Sequence, residues 1–134
     1  MYRLVSFLRF IPMLIVMGTI FYLSHQPGDK LHLPHFWQAD KVFHGIGYAG
    51  LAGAIFFALQ PWAPRLSAFW SGSVVAGICT LYGLLDEFHQ SFIPHRSVSM
   101  FDVLADGAGA LLVVGIWYWL GTTKRKPSVG YAGR

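Results

Sequence analysis

Four long apolar runs, separated by shorter polar stretches, organise the chain. They lie at about 4–23, 42–59, 66–85 and 103–120, each near the ~20 residues an α-helix needs to cross a bilayer's hydrocarbon core. The pattern predicts an all-α integral membrane bundle of about four transmembrane helices. Arg9 and Pro12 fall early in the first run. An arginine there can snorkel to the near interface, and a proline is tolerated in the first turn of a helix. The basic start also resembles a secretory leader, but no A-x-A-like site follows at 23–26, so a retained helix is expected.

The polar stretches differ in character. Residues 24–41 form the longest, broken by Pro27, Gly28 and Pro34. Its amphipathic piece at 31–37 suits the membrane interface, with Trp37 in an aromatic belt. Residues 60–65, with Pro61 and Pro64, predict a tight turn between adjacent spans. Residues 86–102 are polar and contain Pro94. The organisation expected is a transmembrane domain over 1–120 and a basic tail over 121–134 that carries Lys124, Arg125 and Lys126 and is expected to be disordered.

Composition strengthens the membrane expectation. The chain is 54% hydrophobic and 12% charged, against roughly 25% charged in soluble domains. A soluble fold of 134 residues could not bury that much apolar surface. The formal charge of +4 does not imply nucleic acid, because the basic residues form no stripe along one helix face. Cys79, the one cysteine, sits in an apolar run and reads as a small core residue.

Charge placement adds an orientation. Arg3, Arg9, Arg65, Lys124, Arg125, Lys126 and Arg134 fall on one side of the four spans, and Lys30, Lys41 and Arg96 on the other. The positive-inside rule then puts both termini in the cytoplasm. Every acid (Asp29, Asp40, Asp86, Glu87, Asp102, Asp106) and every histidine (His25, His32, His35, His44, His89, His95) belongs to the outer half. Small residues suit close helix contact: Gly45, Gly47, Gly50, Gly53 and Ala54 in the second span, Gly72, Ala76 and Gly77 in the third, and 107–110 in the fourth.

The candidate chemistry gathers around the third and fourth runs. If the third helix continues through Gln90, Asp86 and Gln90 share a face one turn apart, as do Asp102 and Asp106 on the fourth. Asp106 lies within an apolar run, where an ionised carboxylate costs ~2.5–3.5 kcal/mol on insertion scales, so it should face the interior and have a partner. Two partners are candidates, Arg96 in the short connection and Lys41 at the outer mouth of the second helix, where Lys41, His44 and Tyr48 line one stripe. The simplest arrangement brings these helices together at the outer boundary, with Arg96 bridging. Asp86, Glu87 and His44 could transfer protons or ligate a hard divalent cation. Lys41 and Arg96 could hold a phosphate or carboxylate, with Asp102 and Asp106 orienting Arg96 and Gln90 and Tyr48 completing the binding set. The competing expectation is a structural ion-pair network that fixes helix register. Ser91, Ser97 and Ser99 lack a spaced base, His32 and His35 are separated by Pro34, and no HExxH, GxSxG or P-loop occurs.

Three stretches carry a family resemblance. They are Tyr22-Leu23-Ser24-His25-Gln26-Pro27, then Asp40-Lys41-Val42-Phe43-His44-Gly45-Ile46-Gly47-Tyr48, and Asp86-Glu87-Phe88-His89-Gln90-Ser91-Phe92-Ile93-Pro94-His95-Arg96-Ser97 continuing to Asp102, Asp106 and Gly109. Together they resemble the VanZ-like family of small bacterial membrane proteins over about 15–115. The family usually has glycine where this chain has His95, and asparagine or aspartate where it has Asp106. The resemblance implies a helical membrane domain, a multi-pass place in a bacterial inner membrane and a link to the cell envelope. Its namesake is associated with resistance to the glycopeptide teicoplanin, although nothing in this sequence reads an antibiotic. The function expected is an envelope-associated protein whose outward cluster binds or processes a lipid-linked or anionic ligand, with membrane lipids and a lipid-linked precursor as partners. A small transporter or proton relay, and an assembly module or homo-oligomer packing through glycine faces, are the alternatives.

Overall fold

The fold is seen in a computed structural model that describes residues 6–30, 38–62 and 66–123. Four helices account for the apolar runs: α1 (Ile11–Ser24), α2 (Ala39–Leu59), α3 (Ala68–Gln90) and α4 (Met100–Thr123). The first span begins earlier, at Ser6, and all four spans are long and apolar enough to cross a membrane. At 21, 23 and 24 residues, α2, α3 and α4 would each extend ~30–36 Å, the thickness of a bilayer core. No strand occurs among the described residues. The chain is therefore an all-helical, multi-pass membrane protein. The expected features at His32, His35, Trp37 and Arg65, and those of the tail beyond Thr123, lie outside the described residues.

Local sequence sets the helix ends. Pro12 stands in the first turn of α1, where its missing N–H removes no helical bond. Ser67 Oγ accepts the Trp70 N–H at 3.3 Å and caps α3. Ser99 Oγ accepts the Phe101 N–H at 3.2 Å at the start of α4. Asp40 and Asp102 lie in the first turns of α2 and α4, where a negative charge complements the helix dipole.

At the site end the helices outrun the apolar runs. α2 begins at Ala39 and α3 continues to Gln90, so residues expected in connections are helical. A run of hydropathy ends where polar side chains begin, but a helix can carry polar side chains if they face inward. Here they do.

Packing follows small residues only in part. α4 lies against both α2 and α3, and α1 packs chiefly on α2. α2 and α4 run parallel, and Gly45 sits against Ala105 and Gly109, one turn apart on α4. A side chain at Gly109 would collide with the carbonyl of Gly45. This is the close backbone approach that small-xxx-small spacing permits. Gly50, Gly53, Gly77 and Gly107, by contrast, face open space. The interior away from the polar end is apolar, built from Leu51, Ala52, Ile55, Phe56, Val75, Cys79 and Ala110. Trp117 stacks on Phe56 with ring centroids 4.6 Å apart. Cys79 is a buried core residue. At the far end Arg9 donates from Nη1 to Gln60 Oε1 at 2.5 Å and lies over the Phe57 ring, 5.0 Å from its centroid.

Candidate functional site

The up-and-down order of four helices brings four helix ends together: the last turns of α1 and α3 and the first turns of α2 and α4. The parallel α2–α4 seam does the finer positioning. Lys41 precedes Gly45 by one turn and His44 adjoins it, while Asp102 and Asp106 precede and follow Ala105. Bringing Gly45 against Ala105 and Gly109 therefore sets two pairs side by side, one turn apart. Lys41 Nζ lies 2.8 Å from Asp102 Oδ1 and 2.7 Å from Asp40 Oδ2. His44 Nδ1 lies 3.0 Å from Asp106 Oδ1.

Asp106 is fully buried, and its depth has a local cause. It stands six residues into α4, ~9 Å from the helix start. Gly83 of α3 makes room for it: a Cβ at Gly83 would lie 2.7 Å from Asp106 Oδ2. That oxygen has no hydrogen-bond partner. Tyr48, one turn below His44, is also buried, and its hydroxyl has no partner.

The third helix contributes two neighbouring carboxylates that point to different groups. Asp86 Oδ2 accepts from Ser24 Oγ at 2.8 Å and from Gln90 Nε2 at 2.9 Å. Gln90 Nε2 also reaches Ser24 Oγ at 3.2 Å. This closed triad ties the end of α1 to the end of α3. Glu87 Oε2 accepts the backbone N–H of Ser99 at 2.8 Å, fastening α3 to the start of α4. Its other oxygen, Oε1, is buried and unpartnered.

The turn between α3 and α4 covers this end. Gly28 N–H donates to Pro94 O at 3.2 Å, and a Cβ on Gly28 would overlap the His95 carbonyl, so the two site-end connections touch through a glycine. His95 adopts φ 59°, a left-handed conformation that glycine occupies far more readily than histidine. A glycine at this position would hold the turn with less strain.

All the residues singled out from the sequence belong to this end of the bundle, but their partners differ from expectation in two respects. Asp102 and Asp106 do not orient Arg96; they pair with Lys41 and His44, because the α2–α4 seam puts those cations within reach. Arg96 makes no ion pair among the described residues, and its buried Nε has no hydrogen-bond partner. Asp86 does not stand with Glu87 and His44 as a third ligand, since its carboxylate is engaged by Ser24 and Gln90. Instead Asp102 joins them: His44, Glu87 and Asp102 each bring one ligand-type atom within 4.8 Å of the others.

Two contributors went unassigned at the sequence level. Ser24 was visible only as a polar residue closing an apolar run. Asp40 was visible as an acid beside Lys41. His25 Nδ1 also meets His89 Nε2 at 3.2 Å in a stack with Phe21, a contact between sequence-distant histidines that no spacing announces.

A model of the family described as VanZ/LLP1 matches residues 9–121, most of the chain and part of every helix. No curated protein and no solved structure matches the chain significantly.

Proposed function

This chain belongs to the VanZ/LLP1 family, and from that premise we propose that it is a cell-envelope protein that binds an anionic, lipid-linked ligand at the polar end of its bundle. Arg96 carries the proposal. It is a part-buried guanidinium with no acidic partner among the described residues, three residues before the Ser99 that caps Glu87. A buried donor without a partner costs ~1–3 kcal/mol, and more when charged, a cost that folding alone has no use for. A planar guanidinium fork suits phosphate or carboxylate. Lys41, already held by two carboxylates, is the lesser anion-binding group.

The surroundings favour a ligand that arrives through the membrane. Phe88, Phe92, Phe101 and Leu104 are exposed around the polar end, so a lipid tail meets apolar surface while its headgroup meets Arg96. The excess of basic residues on the other side of the spans supports cytoplasmic termini and an outward polar end. Below Tyr48 the interior is Leu51, Ile55, Val75 and Cys79, which gives a proton path through a single copy no support. Glycopeptide resistance forms no part of the proposal.

The test is to purify wild type and Arg96→Gln in native-lipid discs and measure co-purifying phosphate-headed lipids. Expected is one lipid class enriched on wild type over the surrounding membrane and lost from the variant, with both melting alike. Equal lipid content in the two proteins would overturn the proposal.

A further inference from the structure

We infer that His44, Glu87 and Asp102 form a divalent cation site, with Asp106 positioning His44 from behind. One ligand-type atom from each of the three lies within 4.8 Å of the other two. Some point therefore lies within about 2.8 Å of all three, against ~2.0–2.2 Å for a bond from zinc to nitrogen or oxygen. Contraction by about half an ångström closes the site. The three side chains come from three different helices, α2, α3 and α4, so local helix spacing does not explain their meeting.

Two further observations point to a ligand. Glu87 is 4% exposed, and its Oε1 has no hydrogen-bond partner while Oε2 is engaged by Ser99. A structural carboxylate would be expected to use both oxygens, and this one keeps a buried acceptor open. His44 is oriented as a ligand usually is. Its Nδ1 is engaged by the Asp106 carboxylate at 3.0 Å, which leaves Nε2 for a metal. Carboxylate–histidine pairs of this kind fix the ring and raise its basicity in metal centres. The room that Gly83 gives Asp106 is part of the same support.

The charge balance agrees. Asp86, Glu87, Asp102 and Asp106 are all buried at this end, opposed directly, among the described residues, only by Lys41 and, when protonated, His44. A buried excess of carboxylates needs protons or a cation. One imidazole with two carboxylates suits Mn²⁺ or Zn²⁺ better than Mg²⁺ or Ca²⁺, which favour oxygen-only shells. The inference concerns the same cluster as the proposed lipid site but stands on the ligand geometry alone.

The experiment uses the full chain, stripped with chelator and titrated with Mn²⁺ and then Zn²⁺, with stoichiometry read by mass spectrometry of the metal. Expected is one ion per chain, with a single-histidine nitrogen coupling in the pulsed electron paramagnetic resonance of bound Mn²⁺. Glu87→Gln and His44→Gln should each weaken binding by at least ~10-fold, and Asp106→Asn by ~10–100-fold. Asp86→Asn, which removes a nearby charge but no ligand atom, should weaken binding clearly less than Glu87→Gln does. Arg96→Gln should keep the metal even where it loses lipid, which separates the two ideas. Absence of stoichiometric metal from folded wild type, or binding undiminished by Glu87→Gln, overturns the inference. If a variant fails to fold, the nitrogen coupling in wild type decides: its absence counts against His44 as ligand.

Discussion

The two halves of the bundle interior are held by different physics. In one half Leu51, Ile55, Phe56, Val75, Cys79 and Ala110 fit together with no polar contact between their side chains. In the other, Ser24, Lys41, His44, Asp86, Glu87, Gln90, Asp102 and Asp106 form bonds that join two helices or fasten a turn, apart from the Gln90–Asp86 bond within α3. Lipid is as apolar as leucine, so the first half gains little from sequestering its side chains and depends on close fit. The second half cannot leave its groups facing hydrocarbon and so fixes which residue meets which. Buried atoms without partners also divide unevenly. Glu87 Oε1, Asp106 Oδ2 and Arg96 Nε belong to the polar half and Tyr48 OH to its floor, with Ser71 Oγ the exception among the described residues. A half built only for register would be expected to satisfy its own groups.

The sharpest way to break this contrast is Asp106→Ala. It leaves His44 with no partner in a buried site and should destabilise the protein by ~3–5 kcal/mol in reversible unfolding in micelles. Asp106→Asn, which keeps an acceptor for His44, should cost under ~1 kcal/mol. Gly109→Val comes next: its side chain would strike the Gly45 carbonyl, and overpacking typically costs ~1–3 kcal/mol. Because that seam also aligns Lys41 with Asp102 and His44 with Asp106, cross-linking of the two helix starts should weaken with it. Leu51→Ala, in the apolar half, should cost only ~1–2 kcal/mol. The packing part of the large-to-small penalty remains, but the unfolded reference stays in lipid and the water-transfer part is absent. A Leu51→Ala cost as large as that of Asp106→Ala would erase the contrast. Smallest of all, His95→Gly should raise stability by about 1 kcal/mol by relieving the left-handed backbone, readable as a modest rise in melting temperature.

Much of this was legible in the sequence because lipid imposes a simple code. Apolar runs near a bilayer's thickness announced the four helices, and an acid inside such a run announced that Asp106 needed a partner. Asp86 and Gln90, spaced one turn apart, do bond at 2.9 Å once the helix is known to reach them. Hydropathy alone ends the apolar runs short of the helices at the site, where only the one-turn spacing of Asp86 and Gln90 hints that α3 continues. Lys41 was one of the candidate partners, but the pairings of Lys41 with Asp102 and of His44 with Asp106 were out of reach. They depend on which glycines make the α2–α4 contact, and Gly45 and Gly109 look no different in sequence from Gly50 and Gly107, which touch nothing. The role of Ser24 depends on the α1–α3 approach, a tertiary fact without local signal.

The most direct measurement is the stability of Glu87→Gln beside its bound metal and lipid, in native-lipid discs. Glutamine keeps an acceptor for the Ser99 N–H and removes a buried charge with an open oxygen. If the polar end is a ligand site, the variant should fail to retain the ligand and, with both proteins stripped of ligand, melt at or above wild type, because binding groups are commonly held at a cost in stability. A variant that melts well below wild type while carrying the same metal and lipid would contradict this and make the cluster a structural clasp.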